Sequence, residues 1–260
     1  MPQAINPKGT RRYAAGTRAA DWAADYLGST VGNKVLVAVT GLSLSVFVLF
    51  HMIGNLKMFS GRESINAYAY FLKHDLGVLI WVARAGLLGT FLLHVFLTLR
   101  LKWKTNAARP IGYVRLSTAQ ASVQSRYMFS TGLVILLFTI FHLAHYTFCV
   151  IHPVTVDGAM HSYADLVYKG KHDVYSMVIF GFTTPWISVL YIVAQVILFL
   201  HLTHGLTSAL QTLGLLGRRF TVAGRLAAYA FAGVVFAGNV AIVVAVWAGF
   251  LELPADVHAL

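Results

Sequence analysis

The chain has 260 residues, 58% of them hydrophobic and only 11% charged, with a mean hydropathy of +0.69; soluble domains carry about 25% charged residues, so a soluble globular protein is excluded. The formal net charge of +11 invites a nucleic-acid reading, but no aromatic-interleaved basic patch supports one. The one cysteine, Cys149, excludes an internal disulfide, a cysteine-ligated iron-sulfur cluster and a Cys-x-x-Cys-His attachment for covalent haem, and reads as packing.

Residues 1–33 are basic and carry Trp22 and Tyr26 among small residues. They lack the early apolar core and Ala-x-Ala-like exit of a cleavable signal peptide, so the first apolar run is expected to be an uncleaved span that also directs insertion. The segment around Arg18 to Leu27 is expected on the inner membrane face or against a partner, and Met1 to Tyr13 as a frayed tail.

From residue 34 onward, five runs are long enough to cross ~30 Å of hydrocarbon, which takes about 20 mostly apolar residues. They are Val35 to Met58, Val78 to Leu101, Met128 to Ile151, Trp186 to Leu210 and Leu226 to Leu251. Residues 34–260 therefore read as one all-α transmembrane domain, a bundle of five helices. With a cytoplasmic N-terminus, Lys8, Arg11, Arg12, Arg18, Lys34, the six Lys/Arg from Arg100 to Arg126, and Arg218, Arg219 and Arg225 all lie inside. Only Lys57, Arg62, Lys73, Arg84, Lys169 and Lys171 lie outside, the asymmetry of the positive-inside rule. This predicts a multi-pass protein of the cell inner (cytoplasmic) membrane with its C-terminus outside.

Histidine recurs deep in the first four spans. His51 lies roughly 24 Å along the first span from Val35 at the rise of an α-helix, towards the outer leaflet. His94 comes late in the returning second span, towards the inner leaflet. His142 and His145 lie in the outer half of the third span, and His201 and His204 in the inner half of the fourth. Spans one and three thus offer imidazole at one depth, and spans two and four at another. Such pairs suit two stacked haems, each iron held by two histidines from two helices, an arrangement that carries electrons and leaves no open position for oxygen. A lone intramembrane histidine is often a hydrogen-bonded structural residue, but four His-bearing spans in matched pairs argue for function. A proton or metal transporter would want intramembrane carboxylates too, and the five runs contain no Asp or Glu before Glu252. His142 and His145, like His201 and His204, are three apart and share a helix face, so spacing leaves open which of each pair meets iron. The other can bond a propionate, take part in proton transfer or face a neighbouring helix.

The fifth span has no histidine and reads as a packing helix. Gly41, Gly54, Gly86, Gly89 and Gly132 permit close helix approach and would also make room for a flat macrocycle. Pro185 is expected to kink or start the fourth span, and His152 to Asp173 forms the longest outer loop. Between the first two spans, Glu63, Tyr68, His74 and Asp75 mix titratable groups with aromatics near the outer histidine level. They are the candidates for a quinone headgroup site, although for any one of them an ordinary solvated loop is the simpler reading.

Several stretches together carry a family resemblance: Gly41-Leu42 with His51-Met52-Ile53-Gly54-Asn55-Leu56, Leu93-His94 through Arg100, Phe141-His142-Leu143, and His201-Leu202-Thr203-His204-Gly205-Leu206 with Ser208 through Gly214. The chain resembles the dihaem cytochrome b membrane subunit of succinate dehydrogenases and fumarate reductases over roughly Ser29 to Gly214. The resemblance implies a five-helix anchor with two haems b, bound to a flavoprotein subunit and an iron-sulfur subunit on the cytoplasmic side and exchanging electrons with a quinone, expected to be menaquinone. It implies His51 and His142 as axial ligands of the outer haem, and His94 and His201 as those of the inner one. The family ligand in the fourth span stands four residues before a Gly-Leu pair, which selects His201 over His204, and the His-Leu match favours His142 over His145. The outer loop does not align cleanly with the family, so the quinone site is not placed. A cytochrome b subunit of a hydrogenase or formate dehydrogenase also holds bis-His haems, but the His201 to Gly214 stretch and the even pairing over four spans fit it less well.

Overall fold

A computed structural model describes residues 18–108, 123–217 and 220–259. The tail expected over Met1 to Tyr13 and the basic residues Lys8, Arg11, Arg12, Arg109, Arg115, Arg218 and Arg219 lie outside them. Five helices are long and apolar enough to cross a membrane: Thr30–Ser60, Val78–Ala107, Arg126–Thr147, Pro185–Thr212 and Thr221–Trp247.

The first described helix, α1 (Arg18–Gly28), stacks Trp22 on Tyr26 at 5.4 Å between ring centroids. It stops at Ser29, whose hydroxyl donates to the Tyr26 carbonyl at 2.6 Å and accepts from the Gly32 amide at 3.0 Å, capping α2 (Thr30–Asn55). The cap satisfies an amide that a helix start leaves without an intrahelical partner, so α2 begins before the apolar run does. A 3-10 turn, Leu56–Ser60, continues α2. Then come α3 (Arg62–Tyr70) with a π turn at Phe71–Asp75, α4 (Val78–Ala107), and α5 (Val123–His142) with a π turn at Leu143–Thr147. Lys104 of α4 donates to the Gly28 carbonyl at 2.7 Å, so α1 lies at the end of the bundle where α2 starts and α4 finishes.

After α5 the chain forms two small sheets. β1 (Val154–Val156) and β2 (Ala159–His161) pair antiparallel around Asp157-Gly158, and β3 (Leu166–Tyr168) and β4 (Lys171–His172) pair around Lys169-Gly170. All four turn residues have positive φ, the backbone that two-residue type I′ hairpins demand. The expected long outer loop is therefore largely structured. β5 (His258–Ala259), beyond the last span, pairs with β3. These sheets and α3 cap one end of the bundle, opposite α1.

Pro185 separates α6 (Val174–Thr183) from α7 (Pro185–Thr212), with Thr184 extended and proline in the first turn of α7. Proline starts the helix because its missing amide is one that a helix start leaves unbonded anyway. The Phe182 carbonyl at this break accepts from the Ser188 hydroxyl at 2.7 Å and from the Trp247 indole at 3.0 Å.

α8 (Thr221–Trp247) packs along α7 and against α2. α4 packs on α2, α2 on α7, and α7 on α5, whereas α4 and α5 make no comparable contact with each other. Four helices thus stand in the order α4, α2, α7, α5 around a space left open between the first and last, with α8 behind. In the shared interior Asn239 donates to Gln195 at 3.1 Å, the kind of interhelical bond that links spans in lipid.

The cap is held by one buried ion pair. Asp173, with no exposed side-chain surface, accepts from Arg62 Nη2 at 2.7 Å, from Arg62 Nε at 3.1 Å and from Asn66 at 2.8 Å. Arg62 also donates to Asp256 at 2.7 Å and lies 3.9 Å from the Tyr168 ring centroid. The start of α3, the start of α6, strand β3 and the tail after α8 therefore meet at one guanidinium.

Candidate functional site

The four-helix interior carries the histidines. His51 of α2 and His142 of α5 face each other across it, 5.8 Å between ring centroids and nearly perpendicular. Imidazole nitrogen binds a metal at about 2 Å, so a single ion bridging the two rings in line would need them slightly farther apart than this. His51 also stacks on Phe47 at 5.5 Å. At the α1 end, His94 of α4 and His201 of α7 form the other couple, His94 bonded to Thr40 of α2 and His201 to Thr131 of α5. Both pairs are diagonal, α2 with α5 and α4 with α7, and lie at different depths.

The hydrogen bonds behind these rings set their tautomers. Thr40 of α2 commits its proton to the carbonyls of Leu36 at 2.8 Å and Val37 at 3.1 Å. Its oxygen is then left to accept from His94 Nδ1 at 3.0 Å. Thr131 of α5 repeats the device, donating to the Met128 carbonyl at 3.0 Å and meeting His201 Nδ1 at 3.1 Å. A neutral imidazole carries one proton; fixed on Nδ1, it leaves the Nε2 lone pair as the metal-binding atom, the usual outer-shell device behind a ligating histidine. His142 Nδ1 is engaged in turn by the Tyr191 hydroxyl of α7 at 3.2 Å.

Glycine makes these approaches possible. A methyl group added at Gly41 would lie 3.1 Å from His94 Cε1, and one at Gly132 3.4 Å from His201 Cε1. Each histidine at the α1 end thus rests on a Thr-Gly step of the helix beside it, Thr40-Gly41 or Thr131-Gly132. Gly54 admits the ring of Tyr68, while Gly86 and Gly89 of α4 face open space. The two threonines are members of the candidate site that the sequence reading missed; the signal was the same Thr-Gly pair inside the first and third spans.

The alternates behave differently. His145 is fully buried and bonds Tyr191 through Nδ1 at 3.0 Å, with Tyr146 tilted on it 4.0 Å away. His204 is partly buried, one turn beyond His201. Cys149 is partly buried and adjoins the cluster under β1 and β2.

Three of the four quinone-site candidates, Glu63, His74 and Asp75, are exposed, and the fourth, Tyr68, packs one turn beyond His51. Glu63 is exposed and pairs with Lys169 at 2.5 Å, on a surface cleft of ≈ 50 Å³ also lined by Asn66, Tyr168 and Lys171. The Lys169 hydrogen bond holds the Glu63 carboxyl below its usual range. Tyr68 packs on Gly54 with Lys57 over its ring, exposed His74 stacks on Tyr70 at 4.3 Å, and Asp75 is exposed at the end of its π turn.

Among the described residues, no group of three or more His, Cys, Asp or Glu converges as a protein-only metal site would. What the bundle provides is one facing pair of imidazoles, His51 and His142, and a second diagonal couple, His94 and His201, whose rings are each held by a threonine. That donor set fits a flat macrocycle which supplies the remaining metal ligands itself and is gripped from its two faces. The class so defined is a polytopic α-helical bundle with paired intramembrane histidines. No family model, curated protein or solved structure matches the chain.

Proposed function

We propose that this chain is the membrane anchor and electron-transfer subunit of a succinate dehydrogenase, passing electrons between an iron-sulfur subunit and a membrane quinone through two bis-His haems b. The observation that carries the reading is the pair of diagonal histidine couples, with two of the four rings held by threonine in the metal-binding tautomer. Haem b, when bound, supplies one-electron transfer at an iron with no open position. The chain's own residues do the rest: His51 and His142 hold the capped-end site, His94 and His201 the other, and Thr40, Thr131 and Tyr191 fix ring orientation and basicity.

In this reading the capped end faces outside, α1 lies on the cytoplasmic face of the inner membrane, and the flavoprotein and iron-sulfur subunits dock at the α1 end. Menaquinone is the expected quinone. Electrons that reach a quinone at the capped end would cross the membrane, coupling turnover to its potential at ~2.3 kcal/mol per charge per 100 mV.

The test is a reduced-minus-oxidised spectrum of the purified membrane complex with haem counted per chain. About two low-spin haems b with a co-purifying flavoprotein of succinate type support the reading. A red complex with a hydrogenase or formate dehydrogenase partner replaces it, and a colourless one leaves a transporter or plain anchor.

Thr40→Val and Thr131→Val keep the volume and remove the hydroxyl. Each is expected to weaken retention of the haem at the α1 end by about 10–100-fold, the usual cost of losing an outer-shell partner, read as selective loss of that haem's absorbance during dilution.

A further inference from the structure

The sequence holds two histidines at the end of the third span, and the structure gives them one hydroxyl to share. Tyr191 stands 3.2 Å from His142 Nδ1 and 3.0 Å from His145 Nδ1. A phenol has a single proton, so it donates to one ring and accepts from the other. In the function proposed above, on which this inference rests, His142 gives its Nε2 lone pair to iron. Its proton then stands on Nδ1 and is donated to Tyr191. Tyr191 in turn donates to His145 Nδ1, and the proton of His145 must stand on Nε2.

That Nε2 is buried without a hydrogen-bond partner among the described residues, and so is the hydroxyl of the adjacent Tyr146. His145 has no exposed surface. The two groups converge on Gly181 of α6, where an added methyl would collide with the Tyr146 hydroxyl and lie 3.2 Å from His145 Cε1. Tyr163, another hydroxyl beside the His145 ring, is engaged by His152 at 2.9 Å. Aromatic rings wall the place, Phe141 against His145 and Phe182 against Tyr146. Leaving a donor buried and unpaired costs about 1–3 kcal/mol, and here two lie side by side.

We infer that His145 Nε2–H and Tyr146 O–H form a two-donor pocket for one acceptor oxygen on a ligand seated beside His142. The chemistry is that of a conjugated oxygen accepting two hydrogen bonds, and it has two sources: a haem carboxylate or the carbonyl of a quinone headgroup. The pocket lies one hydroxyl away from the capped-end histidine pair, whereas Glu63, His74 and Asp75 sit at the surface.

The experiment uses the intact purified complex carrying Tyr146→Phe, which removes the hydroxyl and keeps the ring. It reads three quantities: haem per chain, the midpoint potential of each haem, and the affinity for menadione from quenching of tryptophan fluorescence. A shift in the midpoint of the capped-end haem alone, with menadione affinity unchanged, assigns the pocket to the haem carboxylate. A loss of about two- to tenfold in menadione affinity, the worth of one hydrogen bond, with both midpoints unchanged, assigns it to the quinone carbonyl. Wild-type haem content with neither quantity moved means that the pocket holds only water and overturns the inference. Absence of haem from the wild-type complex would instead overturn the proposed function itself, so the two failures are told apart.

Discussion

Under the proposed ligation of two haems, His142→Ala is expected to yield a complex that keeps one haem, at the α1 end, and loses the one at the capped end. The residue has no substitute in place: His145 is turned to Tyr191 through Nδ1 and is buried behind it, while His51 on the other side of the gap contributes one nitrogen only. His94→Ala should do the reverse, because the Thr40 and Thr131 contacts orient rings only at the α1 end. The measurement is haem per chain together with the number of redox transitions in a potentiometric titration. Retention of both haems in His142→Ala would remove that residue from the ligand set and transfer the assignment to His145.

Arg62→Ala is expected to open the cap. The substitution leaves Asp173 fully buried with Asn66 and the Ser176 amide as its remaining partners. Breaking a buried pair by removing one member costs about 3–5 kcal/mol, and here the loss falls where α3, α6, β3 and the segment after α8 meet. Faster hydrogen exchange and proteolysis within residues 152–173 would report the opening, with the histidine pairs intact by spectroscopy. Acid should produce a milder form of the same effect. Burial alone would raise the Asp173 carboxyl, but hydrogen bonds from Arg62, Ser176 and Asn66 outweigh it and hold the group below its usual range. A carboxyl lowered by folding stabilises fully above the unfolded value of about 3.9. That contribution disappears as pH falls through the lower folded value, so the protection of cap amides relative to unstructured peptide should hold from neutral pH to about 4 and fall below it.

The five spans were legible because sustained hydrophobicity needs no tertiary knowledge, and the structure moves mainly their ends. The first begins at Thr30 because Ser29 caps it, carrying buried Asn33 and Lys34 into the helix. Depth alone paired the histidines of the first and third spans without choosing between His142 and His145, and the structure sets His142 opposite His51. The threonines were hidden for a physical reason: a hydroxyl in a membrane helix usually bonds its own preceding carbonyl, and Thr40 and Thr131 do that while also receiving an imidazole. The hairpins were legible in principle from Asp157-Gly158 and Lys169-Gly170, but strands of two or three residues carry too little alternation to stand out. Pairing of β3 with β5 has no local signal, since its partners are brought together by every span between them.

That last pairing constrains biogenesis. Strand β3 precedes the last two spans and β5 follows them, so the three-stranded sheet cannot close until α7 and α8 have both been threaded through the bilayer. Until then the guanidinium of Arg62 lacks Asp256, and the capped end stays accessible while the last spans insert. Anything that must enter the bundle from that side has its widest access before β5 arrives, and a bulky fusion placed directly after β5 would prolong that interval.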